Sequence, residues 1–382
     1  MLEKIRCGAL SLVTPDSQHL HFGQHQAGEP QAWLYVHDWR GIQALLRSGD
    51  IGFAEAYSKG WLSTPDLKTL LSLASRNEAA LQQAFSGNRL AQWWYRCKAL
   101  LRSNSKRGSR RNIHAHYDIG NDFYALWLDQ SWTYSSALFG GDYTLDLAQA
   151  QAQKYQRIID VLQLKAGMQV LEIGCGWGGF AEYAGKQGIA VHGITISQAQ
   201  LGFAQARIAR AGLQDLVKLE LCDYRDLRGQ YAAVVSIEMF EAVGEKYWPQ
   251  YFDVLKQRLL PGARALVQSI TIEHARFASY RASADFIQEY IFPGGMLPSP
   301  EEFKRQAQLR GLQQKECFAF GRDYAETLRR WRQSFHAARE QVLGMGFDQA
   351  FLQIWDLYLV YCETGFDEER TDVCHFLLEK PA

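Results

Sequence analysis

Val170-Leu171-Glu172-Ile173-Gly174-Cys175-Gly176-Trp177-Gly178-Gly179 decides the fold. An apolar run ends in four glycines within six positions, and residues 180–186 then read as a helix. A strand, glycine turn and helix in that order lets the backbone approach a ligand and aims a helix N-terminus at anionic groups. Gly174, Gly176 and Gly179 also fit the GxGxxG spacing of dinucleotide sites. Outward from this unit, strands are expected at 190–195, 217–221, 231–237 and 263–272, with helices at 197–211 and 247–259 between them. The alternation predicts an α/β fold, Rossmann-like, with a doubly wound and mostly parallel sheet. Two last strands at 317–320 and 373–378 flank a long helical stretch, 324–362.

The nucleotide is read from the residues around the glycines. A dinucleotide site needs a carboxylate at the end of the second strand, about 20 residues on. Here that strand ends His192-Gly193-Ile194-Thr195-Ile196-Ser197, without one. Glu172 instead resembles the acidic residue of the S-adenosylmethionine (SAM) methyltransferase motif. Asp223-Tyr224 offers a carboxylate for an adenine amino group and a ring to stack on it. A methyltransferase is the reading these residues favour, and a ligand-free glycine turn is disfavoured by the glycine density.

Further motifs resemble the cyclopropane fatty acid synthase family, whose members transfer a carbon from SAM to the double bond of a phospholipid acyl chain. They are His116-Tyr117-Asp118-Ile119-Gly120-Asn121-Asp122-Phe123, Thr133-Tyr134-Ser135-Ser136, Phe240-Glu241, Ile291-Phe292-Pro293-Gly294-Gly295 and the stretch from Trp355 to Cys362. Gly52-Phe53-Ala54-Glu55-Ala56-Tyr57 is similar to the N-terminal domain of the long bacterial members. The resemblance implies a class I SAM methyltransferase with a helical cover over an acyl pocket, at about 273–310 and 322–366, and a smaller N-terminal domain. It assigns SAM to Tyr134, Ser135, Glu172, Gly174, Gly176, Gly178, Thr195, Gln200 and the Asp223, Tyr224, Arg225 turn.

The family reaction passes through a carbocation that a base must deprotonate, and the resemblance implies bicarbonate as that base, held by Cys, Glu, His and Tyr side chains and a backbone group. In this sequence Ser136 stands for the Cys and Gln268 for the His, while Glu241, Ile270 and Tyr324 are kept. That departure argues against a bound bicarbonate. Glu238 replaces a glycine ahead of Met239-Phe240-Glu241, and Ala242 replaces a His. Glu238 is therefore expected to supply a carboxylate where relatives hold a free anion, with Gln268 and Ser136 bonded to it. A buried carboxyl is the better base, and repulsion between Glu238 and Glu241 favours one of them protonated. The competing expectation is that Glu238 turns away to pair with an Arg or Lys. Tyr134, Phe240 and Tyr324 are candidates to face a cation with their rings. Cys362 occupies a position sometimes treated as catalytic in the family, and a packing role suits it better.

Composition and organisation agree with a globular enzyme. Of 382 residues, 47% are hydrophobic and 13% aromatic, which excludes a disordered chain. Lys plus Arg and Asp plus Glu both number 41, so no net charge points to nucleic acid. Seven cysteines without a CxxC pair argue against a disulfide framework or structural zinc. His19, His21 and His25 have a loosely metal-like spacing but no acidic companions, so a surface hairpin is expected and no metal. The N-terminus lacks a secretory pattern and no stretch has membrane-spanning length, so the expected address is cytoplasmic. Three zones are expected: an N-terminal docking domain at 1–86, a basic linker at 87–111 and the methyltransferase domain at 112–382.

Arg89, Arg96, Lys98, Arg102, Lys106, Arg107, Arg110 and Arg111, interleaved with Trp93, Trp94 and several Leu, suit either the anionic surface of a phospholipid bilayer or a solvated linker. With the bilayer reading goes peripheral association with the inner face of the membrane. A homodimer is left open. So are three other outcomes: methyl or methylene branching without ring closure, methylation of a small amine, and a binding protein that has lost catalysis.

Overall fold

The computed structural model describes residues 4–24, 26–85, 104–105, 108 and 119–382. His25, His116, Tyr117, Asp118 and all of the basic segment 89–111 except Asn104, Ser105 and Gly108 lie outside the described residues.

The N-terminal unit is built from β1 (Ala9–Val13), β2 (His19–Gly23), β3 (Gln31–Val36), α1 (Trp39–Ser58), β4 (Leu62–Ser63), α2 (Leu67–Arg76) and α3 (Glu78–Phe85). Its sheet runs β2-β1-β3-β4, with β1 and β3 parallel. Period-two alternation turns Leu10, Leu12, Ala32, Leu34 and Val36 inward. Helix α1 is capped by Asp38, whose side chain accepts from the Arg40 N–H. It breaks at Gly49 (φ 58°, ψ −129°) and resumes to Ser58. His19 and His21 lie on the hairpin strand β2, exposed to solvent.

The larger unit contains α4 (Asn121–Ala125), α5 (Leu147–Leu162), β5 (Gln169–Ile173), α6 (Gly179–Gly185), β6 (Ala190–Thr195), α7 (Gln198–Arg210), β7 (Val217–Leu221), β8 (Tyr231–Ile237), α8 (Trp248–Arg258) and β9 (Leu259–Ile272). There follow α9 (His274–Arg281), a π-turn (Ile287–Ile291), α10 (Pro300–Leu309), β10 (Gln313–Ala319), α11 (Gly321–Ala337), α12 (Arg339–Gly344), α13 (Gln349–Asp367) and β11 (Thr371–Glu379). Sheet order is β10-β11-β9-β8-β5-β6-β7. Strands β9, β8, β5, β6 and β7 are mutually parallel, and β11 and β10 close one edge antiparallel. The ligand crevice of such a sheet lies at the carboxyl ends of the parallel strands. The glycine turn after β5 and Glu238 after β8 both fall there.

One face of the sheet is packed by α5, α6 and α7 through Tyr155, Ile158, Phe180 and Ile208. The other is packed by α8 and α10 through Trp248, Tyr251, Phe252 and Phe303. This places α10 in the sheet's own helical layer, with Phe303 stacked on Phe376 of β11 at 3.9 Å between ring centroids. The cover therefore does not extend to 310, and its first segment ends before α10.

The aromatic load has a location. Phe123, Tyr124, Trp127, Tyr134, Trp331 and Trp355 form a continuous ring cluster under α11 and α13, with Phe123 meeting Trp355 edge-on at 4.9 Å. Each such pair contributes about 0.5–1.5 kcal/mol beyond burial.

The same core runs into the N-terminal unit, joining Leu34, Phe53 and Leu70 to the cover. Ion pairs lock the junction: Lys68 with Asp367 at 2.5 Å, Arg76 with Glu368 at 3.0 Å, and Arg370 with Glu78 at 2.8 Å. Asp50 of α1 accepts from the Phe286 N–H at 3.0 Å and from the Tyr361 hydroxyl at 3.2 Å. The N-terminal unit is thus joined to the cover through a shared core.

Candidate active site

A cavity of about 870 Å³ begins at the glycine turn and ends against the N-terminal sheet. Its walls include Gly174, Gly176, Thr195 and Asp223 at one end, Glu238, Glu241 and Tyr324 in the middle, and Leu10, Leu34 and Leu70 at the other. That lies in the upper part of the range of ligand pockets, about 300 to 1,000 Å³. Among the described residues no helix is long and apolar enough to cross a membrane.

The glycine turn is built for close approach. Gly174 has φ 84°, and a Cβ there would meet the Met239 side chain at 3.0 Å, so turn and β8 loop touch. Gly176 has φ 51°, and a Cβ there would project into open space. Beneath the turn Glu172 is buried, with its Oε2 lacking a partner among the described residues. Burial pushes its pKa up to about 8, although Arg207 and Lys154 pull it down. An open cradle at Gly176 above an orphaned carboxyl oxygen fits a SAM-type nucleoside with a polar tail.

Thr195 donates to Gln200 Oε1 at 3.0 Å and accepts from the Ser197 N–H, which fixes the loop after β6. Asn121 accepts from the Trp177 indole at 2.9 Å, tying α4 to the glycine turn.

Asp223 departs from expectation in one respect. Its carboxylate is clamped by Arg225, at 2.8 Å from Nε and 2.6 Å from the terminal nitrogen, so it is already engaged within its own turn. Tyr224 is buried and borders the cavity.

The middle of the cavity is organised around Glu238. This residue sits at φ 46°, in the left-handed region, and its N–H donates to the Gln268 carbonyl at 2.9 Å. Its Oε1 accepts from the Ser136 N–H at 2.8 Å and from Gln268 Nε2 at 2.7 Å, and its Oε2 accepts from the Tyr324 hydroxyl at 2.6 Å. Burial raises its pKa, and the Tyr324 hydrogen bond and Lys154 charge oppose that rise.

The expected partners are therefore present, with one change. Ser136 acts through its backbone, because its hydroxyl donates to the Ala137 carbonyl instead. The alternative of an Arg or Lys ion pair does not occur among the described residues. Two of the groups implied for a bound anion, Gln268 and Tyr324, bond to Glu238 here. Ile270 gives its N–H to Glu241 Oε1 at 2.6 Å.

Glu241 also accepts from Ser269 at 3.1 Å, and its Oε2 has no partner among the described residues. Burial, and then the Glu238 charge, push its pKa up to about 8, so it is mostly protonated at neutral pH. Gln268 is oriented from behind, where its Oε1 meets His375 Nε2 at 2.8 Å. Burial lowers the His375 pKa well below the ordinary value, so the ring is neutral and serves as donor.

Among the rings, Tyr134 and Tyr324 border the cavity and Phe240 does not. Phe240 is fully buried between Trp248, Tyr251 and Phe303, because the turn after β8 directs it into the sheet's helical layer. Tyr134 is held by a 2.8 Å hydrogen bond to Tyr358, and Tyr324 stacks on Phe366. Cys362 borders the cavity on α13, and burial raises its pKa, which keeps it a thiol.

Two site residues carried no sequence expectation. Gln151 and Lys154 on α5 are fully buried and hold Ser135 and Ser136 from below. The available signal was their position on the same helical face as Tyr155 and Ile158.

A doubly wound sheet with a nucleoside cradle at β5 and a half-buried carboxyl pair beside it is the architecture of a SAM-dependent methyltransferase. Comparison with known proteins agrees and narrows the class. Residues 104–376 match the family profile described as mycolic acid cyclopropane synthetase. The chain is 38% identical over 365 residues to tuberculostearic acid methyltransferase UfaA1 of Mycobacterium tuberculosis, covering 92% of this chain and 84% of that protein. It is 33% identical over 327 residues to the cyclopropane-fatty-acyl-phospholipid synthase of Escherichia coli, covering 85% and 82%. The crystal structure of mycolic acid cyclopropane synthase CmaA1, complexed with SAH and CTAB, superposes with TM-score 0.66 at 28% identity, covering 71% of this chain and 98% of that one. This chain belongs to the cyclopropane fatty acid synthase family.

Proposed function

We propose that the protein transfers one carbon from SAM to the double bond of an unsaturated acyl chain in a membrane phospholipid, with Glu238 as proton acceptor and a cyclopropane as product. The observation that carries this reading is the Glu238 carboxylate, bonded by three neutral donors and free of any ion pair among the described residues, on the wall of a largely apolar cavity continuous with the glycine turn.

Gly174 and Gly176 with Tyr134, Ser135, Glu172, Thr195, Gln200 and the Asp223 to Arg225 turn would hold SAM, whose sulfonium supplies an electrophilic methyl, whereas Gly178, expected to join them, packs against Ala204 of α7 off the cavity wall. The alkene π pair forms the new carbon–carbon bond while the sulfur keeps the pair of the bond that breaks. The neighbouring carbon becomes a cation, faced by the Tyr134 and Tyr324 rings. Glu238 removes a proton from the new methyl, and the C–H pair closes the ring. Raised basicity suits this task, since a buried carboxylate binds a proton more tightly than one in water. Glu241, protonated, adds no second negative charge to repel Glu238.

A second reading is favoured by the 38% identity with the tuberculostearic acid methyltransferase. In it a hydride shift precedes deprotonation and leaves a methylene branch. The proton acceptor is the same, and the products have equal mass.

Expression in a bacterium lacking cyclopropane lipids, followed by proton NMR of the extracted acyl chains, separates them. Upfield ring protons support the first reading and vinylidene protons the second. S-adenosylhomocysteine release with amines and without vesicles would overturn both.

A further inference from the structure

Helix α5 places a lysine where its pattern calls for a core residue. Lys154 has no exposed surface, and its Nζ donates to Ser135 Oγ at 2.7 Å and to the Ser136 carbonyl at 2.9 Å. One turn earlier, Gln151 Nε2 donates to the Ser135 carbonyl at 2.9 Å. The Ser135–Ser136 peptide is thus gripped at its carbonyl by α5 while its N–H is given to Glu238. A buried ammonium is costly unless opposite charge faces it. Glu238, Asp129 and Glu172 do so, and no carboxylate among the described residues forms a direct ion pair with it.

We propose that Lys154 is a positioning residue for proton transfer, fixing the Ser135–Ser136 turn and supplying the buried positive charge that keeps Glu238 ionised and ready to accept a proton. The proposal rests on the reading of Glu238 as proton acceptor. The groups around that carboxylate leave the task to Lys154. Tyr324 from α11 and Gln268 from β9 are neutral donors, His375 of β11 stands neutral behind Gln268, and Cys362 of α13 is a thiol. Glu241, beyond the turn after β8, is held protonated and adds no charge, whereas the Lys154 charge favours ionisation of Glu238. Burial lowers the Lys154 pKa to about 7, so its charge and that of Glu238 support one another.

The test is the pH profile of S-adenosylhomocysteine release from vesicles of unsaturated phospholipid, for the wild type, K154M and K154R. Wild-type activity rises with pH as Glu238 ionises. Without the facing cation Glu238 binds its proton more tightly, so the acid limb of K154M moves up by about one unit or more, a deficit of about tenfold on the limb that narrows as pH rises. K154R keeps the wild-type limb even where turnover drops. Loss by one constant factor at every pH in K154M, or a limb that stays in place, overturns the proposal.

If K154M fails to fold, the double variant K154M/E238Q decides. Removing the uncompensated carboxylate restores folding if charge is the reason, and continued failure overturns it. A wild type that releases nothing from vesicles refutes instead the acyl-chain reading.

Discussion

Replacing Glu238 by glycine tests the site most directly, because it removes the proposed proton acceptor and relaxes the backbone together. Glu238 holds φ 46°, a conformation that costs a side-chain-bearing residue about 1–2 kcal/mol and glycine almost nothing. Against that gain, the Ser136 N–H, Gln268 Nε2 and the Tyr324 hydroxyl lose their acceptor, at about 1 kcal/mol each once water enters. The variant should therefore fold, with stability lowered by no more than about 2 kcal/mol. Turnover should fall by about 10²–10⁴, the usual worth of a positioned general base. SAM affinity should persist, since the cradle at Gly174 and Gly176 lies outside the change.

Three donors left facing a void form an anion site, so added bicarbonate or formate should restore part of the activity with saturation. The assay is S-adenosylhomocysteine release from unsaturated phospholipid vesicles in carbon dioxide-free buffer, with and without each anion. Turnover of E238G within about threefold of wild type would refute the base assignment, given the loss expected of a general base. So would a wild type that itself stops when bicarbonate is removed.

Glu238→Gln should abolish turnover while calorimetry still reports SAM binding, and near-normal release would refute the acceptor role. Gly176→Ala should weaken SAM binding at least about tenfold, because the methyl enters the open cradle, and should cost only about 1–2 kcal/mol of stability from its φ of 51°. Calorimetry and thermal melts separate the two effects. Leu34→Trp should fill the far end of the cavity and shift preference toward shorter acyl chains, read by product analysis on mixed vesicles. Asp285 has its pKa pushed up to about 7 by burial and then by Asp50. A carboxyl raised on folding stabilises fully below its unfolded pKa of 3.8, and that stabilisation is lost as pH rises to about 7. Asp285→Asn should therefore gain stability relative to wild type between pH 4 and 7, and a pH-independent difference in urea denaturation would refute this.

The fold was legible where one signal dominated. The glycine turn and the apolar runs beside it place β5 to β8 as expected, because a parallel strand buried on both faces reads as a continuous hydrophobic run. Glu238 was legible as a residue of the crevice wall because it follows β8 and replaces a glycine ahead of Met239-Phe240-Glu241. What stayed hidden depends on tertiary neighbours. Lys154 shares the buried helical face of Tyr155 and Ile158, but a lysine there gains a role only when the loop at 135–136 packs against α5 and accepts from it. The direction of Phe240 is set by a 3-10 turn that the strand pattern does not encode. The partnership of Leu34 and Leu70 with α13 follows from the docking of two units far apart in sequence.

A carboxylate carried on the chain changes what such a site can do. A free anion must be bound afresh and aligned, whereas Glu238 is held by three donors before any lipid arrives, so its alignment adds little to the barrier. On the proposed mechanism, tethering also fixes where the proton leaves. The cation can close to a ring only if the new methyl stands nearest the acceptor when the bond forms. If the carboxylate reaches it late, a hydride shift intervenes and a methylene results. On the proposed mechanism product choice rests on the distance between Glu238 and the transferred carbon, which Ser136, Gln268 and Tyr324 would set on one side and the depth of an acyl tail against Leu10 and Leu34 on the other. Shortening the acceptor with Glu238→Asp draws the carboxylate back by one carbon, so the fraction of methylene product in the NMR spectrum should rise. An unchanged ratio at reduced turnover would show that the partition is decided before the proton moves.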